Sequence, residues 1–210
     1  MPSLESNQLA IQPDVSDILH FWFSEAQSIQ GICDRRSALW WGKNEQTDRD
    51  IRRKFIHRVE AASTGKLDAW QNEPESCLAF IILIDQFRRN IYRGKPEAFS
   101  ADSRALAACL NGIDCGLDKK LSTIQRVFFY LPLEHSEDLA IQDESLRQFG
   151  QLEVDDTGEN PKIFAGFNDY ARSHFDIIKR FHRYPHRNAI LKRESTEEEI
   201  EFLQQAGSSF

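Results

Sequence analysis

Asp85 and Arg89 stand four residues apart, and behind Asp85 the positions three, four and seven residues back are Ile82, Ile81 and Leu78. A helix would carry this carboxylate on an apolar face, where a charge needs a cation or several hydrogen-bond donors. Arg89 is the nearest cation, and Asn90 is placed to tie down the helix end. The pair either locks this helix to a neighbour or forms the rim of a ligand site. A second polar stretch is Tyr130–Asp138 (YLPLEHSED), in which Glu134 and His135 put a carboxylate and an imidazole side by side. Those two types together suit general acid–base chemistry, so they are the catalytic candidates. The plainer reading is that acidic residues following Pro132 favour a helix N-terminus.

A third stretch runs from Arg180 to Asn188. His182 and His186 have the i, i+4 spacing of helical metal ligands, but Pro185 lies between them and pushes Tyr184 out of helical geometry. No metal site is assigned on that ground; a metal shared among Asp85, Glu134, His135 and His186 is the residual option. Arg183, His186, Arg187 and Asn188 can grip a phosphate or carboxylate, or simply neutralise Glu134–Asp156, where eight carboxylates face only Arg147. His174 sits on an apolar helical stripe, the usual place of a core histidine with one satisfied nitrogen. Motifs of the nucleotide-binding, serine-hydrolase and zinc-protease types are absent, and no cofactor is implied.

The elements that must position these residues read as helices. Val15, Ile18, Leu19 and Trp22 mark one over Asp14–Phe23, and Ile51, Phe55, Val59 and Ala62 another over Thr47–Ala62. Pro74 opens a helix to about Phe87 whose Leu78–Ile84 run is apolar all round, as befits a central element. Further helices are expected over Asp102–Gly112, over Ser122–Tyr130 until Pro132 breaks or kinks it, and over Leu139–Gly150. Val154–Pro161 reads as a surface loop. A long helix follows through Phe164 and Phe181, and a last one starts at Ser195 with Glu198 completing a capping box. The fold class is all-α, with residues 1–13 a loose leader and 14–210 a single helical domain.

A net charge of −7 argues against general affinity for nucleic acid or anionic membranes. The longest apolar run is too short to cross a bilayer, no secretory signal is visible, and Cys33, Cys77, Cys109 and Cys115 form no C-x-x-C pair, so a cytoplasmic location is expected.

Leu83–Gly94 (LIDQFRRNIYRG), Tyr130–Asp138 and Arg183–Leu191 (RYPHRNAIL), together with the closing Gly207–Phe210, resemble the hallmarks of the bacterial "domain of unknown function 924" family over nearly the whole chain. The resemblance implies an all-helical, tetratricopeptide-like array and supplies no activity. The chain departs from the family pattern at Arg88 (usually Pro), His182 (usually Gly) and Tyr184 (usually Phe). Asp85, Arg89, Asn90, Glu134, His135, His186, Arg187 and Asn188 fit it. With Tyr92, His174 and Arg183 these make up the candidate site. Two functions follow: a helical binding protein for a small anionic ligand or a protein partner, or an enzyme in which Glu134 or His135 moves a proton while Arg89, His186 and Arg187 hold an anion.

Overall fold

The apolar run at Leu78–Ile84 becomes the axis of the molecule. In the computed structural model, which describes residues 13–26, 28–156 and 160–209, helix α4 (Pro74–Ile81) passes through a π-helical turn (Ile82–Phe87) into α5 (Arg88–Ile91) as one rod. From Cys77 to Phe87 every residue of that rod is buried, polar Asp85 and Gln86 included. Each fully buried Leu, Ile or Phe contributes roughly 1.5–3 kcal/mol. Helices α1 (Pro13–Phe23), α3 (Glu45–Ser63), α6 (Asp102–Asp114) and α7 (Thr123–Glu134) pack around the rod. Beyond α7, a short link turns the chain into α8 (Leu139–Asp155), which packs on α7 and on the long α9 (Pro161–Phe181). The short α10 (Glu197–Leu203) follows. Among the described residues no strand occurs, and no helix is long and apolar enough to cross a membrane.

Helix α2 (Ile29–Trp41) escaped the sequence pattern. Asp34, Arg35 and Arg36 interrupt its apolar spacing, and Trp40 is its single buried residue. Packing holds it instead. The Trp40 indole N–H donates to the Trp22 carbonyl at 3.0 Å, and both rings join an aromatic cluster with Phe23, Phe87 and Phe128.

Several expected boundaries move. Pro13, assigned to the leader, is the first residue of α1, a position where its missing N–H costs nothing; the rest of the leader, 1–12, lies outside the described residues. Pro132 does not end α7, which runs to Glu134; so close to the helix end only a short stretch depends on the hydrogen bond that proline removes. Glu134 therefore closes a helix rather than opening one, and Asp138 is the residue that caps α8, accepting from the Ala140 and Ile141 amides. Val154 and Asp155 belong to α8 and Pro161 opens α9, so the expected loop shrinks; 157–159 lie outside the described residues. The last capping box is one residue later than expected, Thr196 with Glu199.

Two backbone positions explain residue choices. Gly112 lets α6 approach α7 closely: a Cβ there would lie 2.4 Å from Cζ of Phe129. His182 ends α9 in the left-handed region at φ 56°, the conformation that glycine adopts without cost.

Candidate functional site

The π turn sets the first group. Asp85 is fully buried, and its Oδ1 lies 2.7 Å from Nδ1 of His135 and 3.0 Å from Nη1 of Arg89, while Oδ2 accepts from the Gln86 amide at 2.6 Å. Burial alone would raise the Asp85 carboxyl, but Arg89 and His135 outweigh it and hold it below the usual carboxylate range. An ionised Asp85 can only accept, so His135 Nδ1 carries the proton and Nε2 is left with its lone pair. Burial and then the nearby Arg89 depress the His135 imidazole against the opposing pull of Asp85, which favours the neutral ring.

Arg89 reaches further. Its Nη1 donates to the Asp85 carbonyl at 2.9 Å, and its two terminal nitrogens meet both carboxylate oxygens of Asp102 at 3.0 Å, a bidentate pair at the first residue of α6. Arg187 arrives from the turn Pro185–Arg187 and is buried. Its guanidinium lies 4.9 Å from the Phe99 ring centre and 4.4 Å from that of Tyr184, and donates to the His135 carbonyl at 3.1 Å. Its distance to Asp102 is 3.6 Å, and its Nε has no acceptor among the described residues. Arg89 thus takes Asp85 and Asp102 at close range, Arg193 takes Glu137 of the same groove, and Arg187 is left the less neutralised cation. Burial and Arg89 together lower the Arg187 guanidinium.

Asp102, His135 and Arg187 line a groove of about 490 Å³ whose walls include Phe99, Leu106, Pro132 and Leu191. The His135 side chain keeps 15 % of its exposure there. Glu134, its neighbour in sequence, faces the other way: it is 3 % exposed, with Oε2 3.4 Å from Nδ1 of His174. Burial and then Asp85 push the Glu134 carboxyl well above its ordinary value, which favours its protonated form. His174 Nδ1 lies 2.8 Å from the Tyr170 carbonyl, which only accepts, so this nitrogen is protonated; burial drives the His174 imidazole down to about 3. The buried Tyr184 hydroxyl donates to the Glu134 carbonyl and accepts from the Gln142 amide, and its ring lies 5.5 Å from that of His186. Burial and Arg187 lower His186 to about 4.

The three stretches separated in sequence thus meet, but not with every candidate. Asp85, Arg89, His135 and Arg187 form one network, with His174 and Glu134 behind it and His186 beside Tyr184. Asn90 instead donates to Asp48 on α3, and Tyr92 lies between the guanidiniums of Arg52 and Arg88. Arg183 pairs with Glu199, and Asn188 bonds Glu199 and Ser195, so both secure the start of α10. Asp102, Phe99 and Gln86 were missed: a lone acid at a helix start reads as a cap, and nothing in spacing links it to Arg89 or Arg187. Among the described residues, no group of three His, Cys, Asp or Glu side chains is arranged to hold a metal ion.

A family model described as "Bacterial protein of unknown function (DUF924)" matches residues 18–207. Among solved structures, a protein of unknown function from Agrobacterium tumefaciens is similar at 34 % identity and a TM-score of 0.75, over 90 % of this chain and 96 % of that one. No curated protein matches.

Proposed function

Since the chain belongs to the bacterial DUF924 family, whose description carries no activity, its function has to be read from the groove, and we propose that it binds a small carboxylate with an apolar body. The supporting observation is Arg187, fixed between two aromatic rings while Arg89 takes Asp85 and Asp102 at closer range. Asp102 stands 3.6 Å from Arg187, so a ligand carboxylate would replace part of that contact. The apolar side of that ligand would cover Phe99, Leu106 and Leu191, which a bare anion would leave in water.

A second reading is supported by the 2.7 Å Asp85–His135 bond. A buried carboxylate that fixes an imidazole tautomer leaves Nε2 as a base, so the bound molecule would be one that gives up a proton. In either case Glu134 is a positioning residue, not the acid or base expected from its place beside His135, because it is buried away from the groove. We also propose a tetratricopeptide-like array and a cytoplasmic location. The packing of α7 on α8 and α8 on α9 supports the first, and the unbridged Cys33, Cys77, Cys109 and Cys115 the second.

A thermal-shift screen with benzoate, alkyl carboxylates and acetate tests the reading. Benzoate or an alkyl carboxylate should raise the melting temperature more than acetate, and Arg187→Gln should weaken that binding about tenfold or more, the scale of a lost charge-assisted hydrogen bond. An unchanged response in Arg187→Gln, or none from any carboxylate in the wild type, would rule the groove out.

A further inference from the structure

A second depression, of about 560 Å³, opens between α1, α2 and α3. It is remote in sequence from all three motifs and none of its residues belongs to the network around Asp85. Arg36, Lys54 and Arg58 line it with His20, over Phe21 and Phe55, and Asp17 is the single acid among its lining residues. In a chain of net charge −7 this local balance runs the other way.

The cations are unequally satisfied. Arg58 is bound by Asp14, with Asp17 a further 4.0 Å contact, and His20 faces Glu25 at 3.5 Å. Arg36 and Lys54 pair with no carboxylate among the described residues. The Lys54 ammonium sits 5.0 Å from the centre of the Phe21 ring, and Arg36 has its Nε buried without an acceptor. An anion seated here would supply counter-charge to this guanidinium and to the Lys54 ammonium. Burial, then the adjacent Arg35, already lowers the Arg36 guanidinium, so it gains from any negative charge placed beside it.

We infer that this depression is a separate binding site for a small phosphate monoester carrying an apolar or aromatic group. Two cations without acid partners among the described residues, with a third beside them, match the double charge of a phosphate monoester better than a single carboxylate. The Phe21 and Phe55 rings supply the surface for the rest of the ligand. A mononucleotide-sized molecule is within the range such a volume accommodates.

Isothermal titration of the full chain with phenyl phosphate, inorganic phosphate and phenol tests this site. Phenyl phosphate should bind, inorganic phosphate more weakly, and phenol not measurably. Arg36→Gln with Lys54→Gln should weaken phenyl phosphate about tenfold or more. These half-buried and exposed positions leave the core intact, and an unchanged melting curve verifies that. Arg187→Gln should leave phenyl phosphate binding as it was, which separates this site from the carboxylate groove. Undiminished binding in the double variant, absence of binding in the wild type, or inorganic phosphate equalling phenyl phosphate would each overturn the inference.

Discussion

Asp85 is a buried anion whose partners are the Arg89 guanidinium, the His135 imidazole and the Gln86 amide. Replacing it by Asn keeps the shape but leaves Arg89 with less compensation; breaking such a buried pair costs about 3–5 kcal/mol, which a urea melt would reveal. Asp85→Asn should also lower the His135 imidazole further, because the carboxylate is what pulls it up; a ring-nitrogen NMR titration reads this directly. Glu134 has the opposite logic. Its folded carboxyl is raised, so its unfavourable contribution is absent below the unfolded value near 4.5 and grows as pH rises through the window up to the folded value. Glu134→Gln should therefore gain stability over wild type as pH increases, by at most about 1.4 kcal/mol per pH unit. His174, lowered to about 3, and His186, lowered to about 4, act at acid pH: the unfolded rings protonate below about 6.5 while the folded ones stay neutral, so stability falls on acidification. A parallel pH profile for Glu134→Gln and wild type would contradict the buried, protonated Glu134.

At the scale of elements, two substitutions weigh opposing effects. Gly112→Ala gains about 1 kcal/mol of helix propensity, but its Cβ meets the Phe129 ring at 2.4 Å, and overpacking costs typically 1–3 kcal/mol. The net should be destabilising, with a lower melting temperature. His182→Gly removes the strain of a left-handed residue, about 1–2 kcal/mol, and should raise the melting temperature by a few degrees, roughly 2–4 °C per kcal/mol for a chain of this size. Helices with a strong apolar stripe, such as α3 and α9, were legible in the sequence to within a few residues. The exception, α2, owes its place to Trp40 on Trp22, a contact that no local pattern encodes. Likewise Pro132 looked like a stop because proline is judged without knowing how much helix follows it.

For the molecule as a whole, three motifs spread over about a hundred residues converge on one network beside the groove, and their ionisable types identified four of its members. Asn90, Tyr92, Arg183 and Asn188 were indistinguishable from them in sequence, since polar residues that bind a ligand and those that anchor a helix end have the same chemistry. Their partners separate them: Asn90, Arg183 and Asn188 bond the acids Asp48 and Glu199, and Tyr92 meets two guanidiniums, whereas Arg187 lies against two rings with its nearest carboxylate at 3.6 Å. Asp102 is the part of the account that only the folded chain supplies. It bridges Arg89 and competes at 3.6 Å for Arg187, so it limits how strongly the groove holds an anion.

Calorimetric titration of benzoate into wild type, Arg187→Gln and Asp102→Asn puts this most directly to the test. Affinity should fall about tenfold or more in Arg187→Gln and rise in Asp102→Asn, where the competing carboxylate is gone. Equal affinities in all three proteins, or a loss in Asp102→Asn as large as in Arg187→Gln, would contradict an anion seat at Arg187.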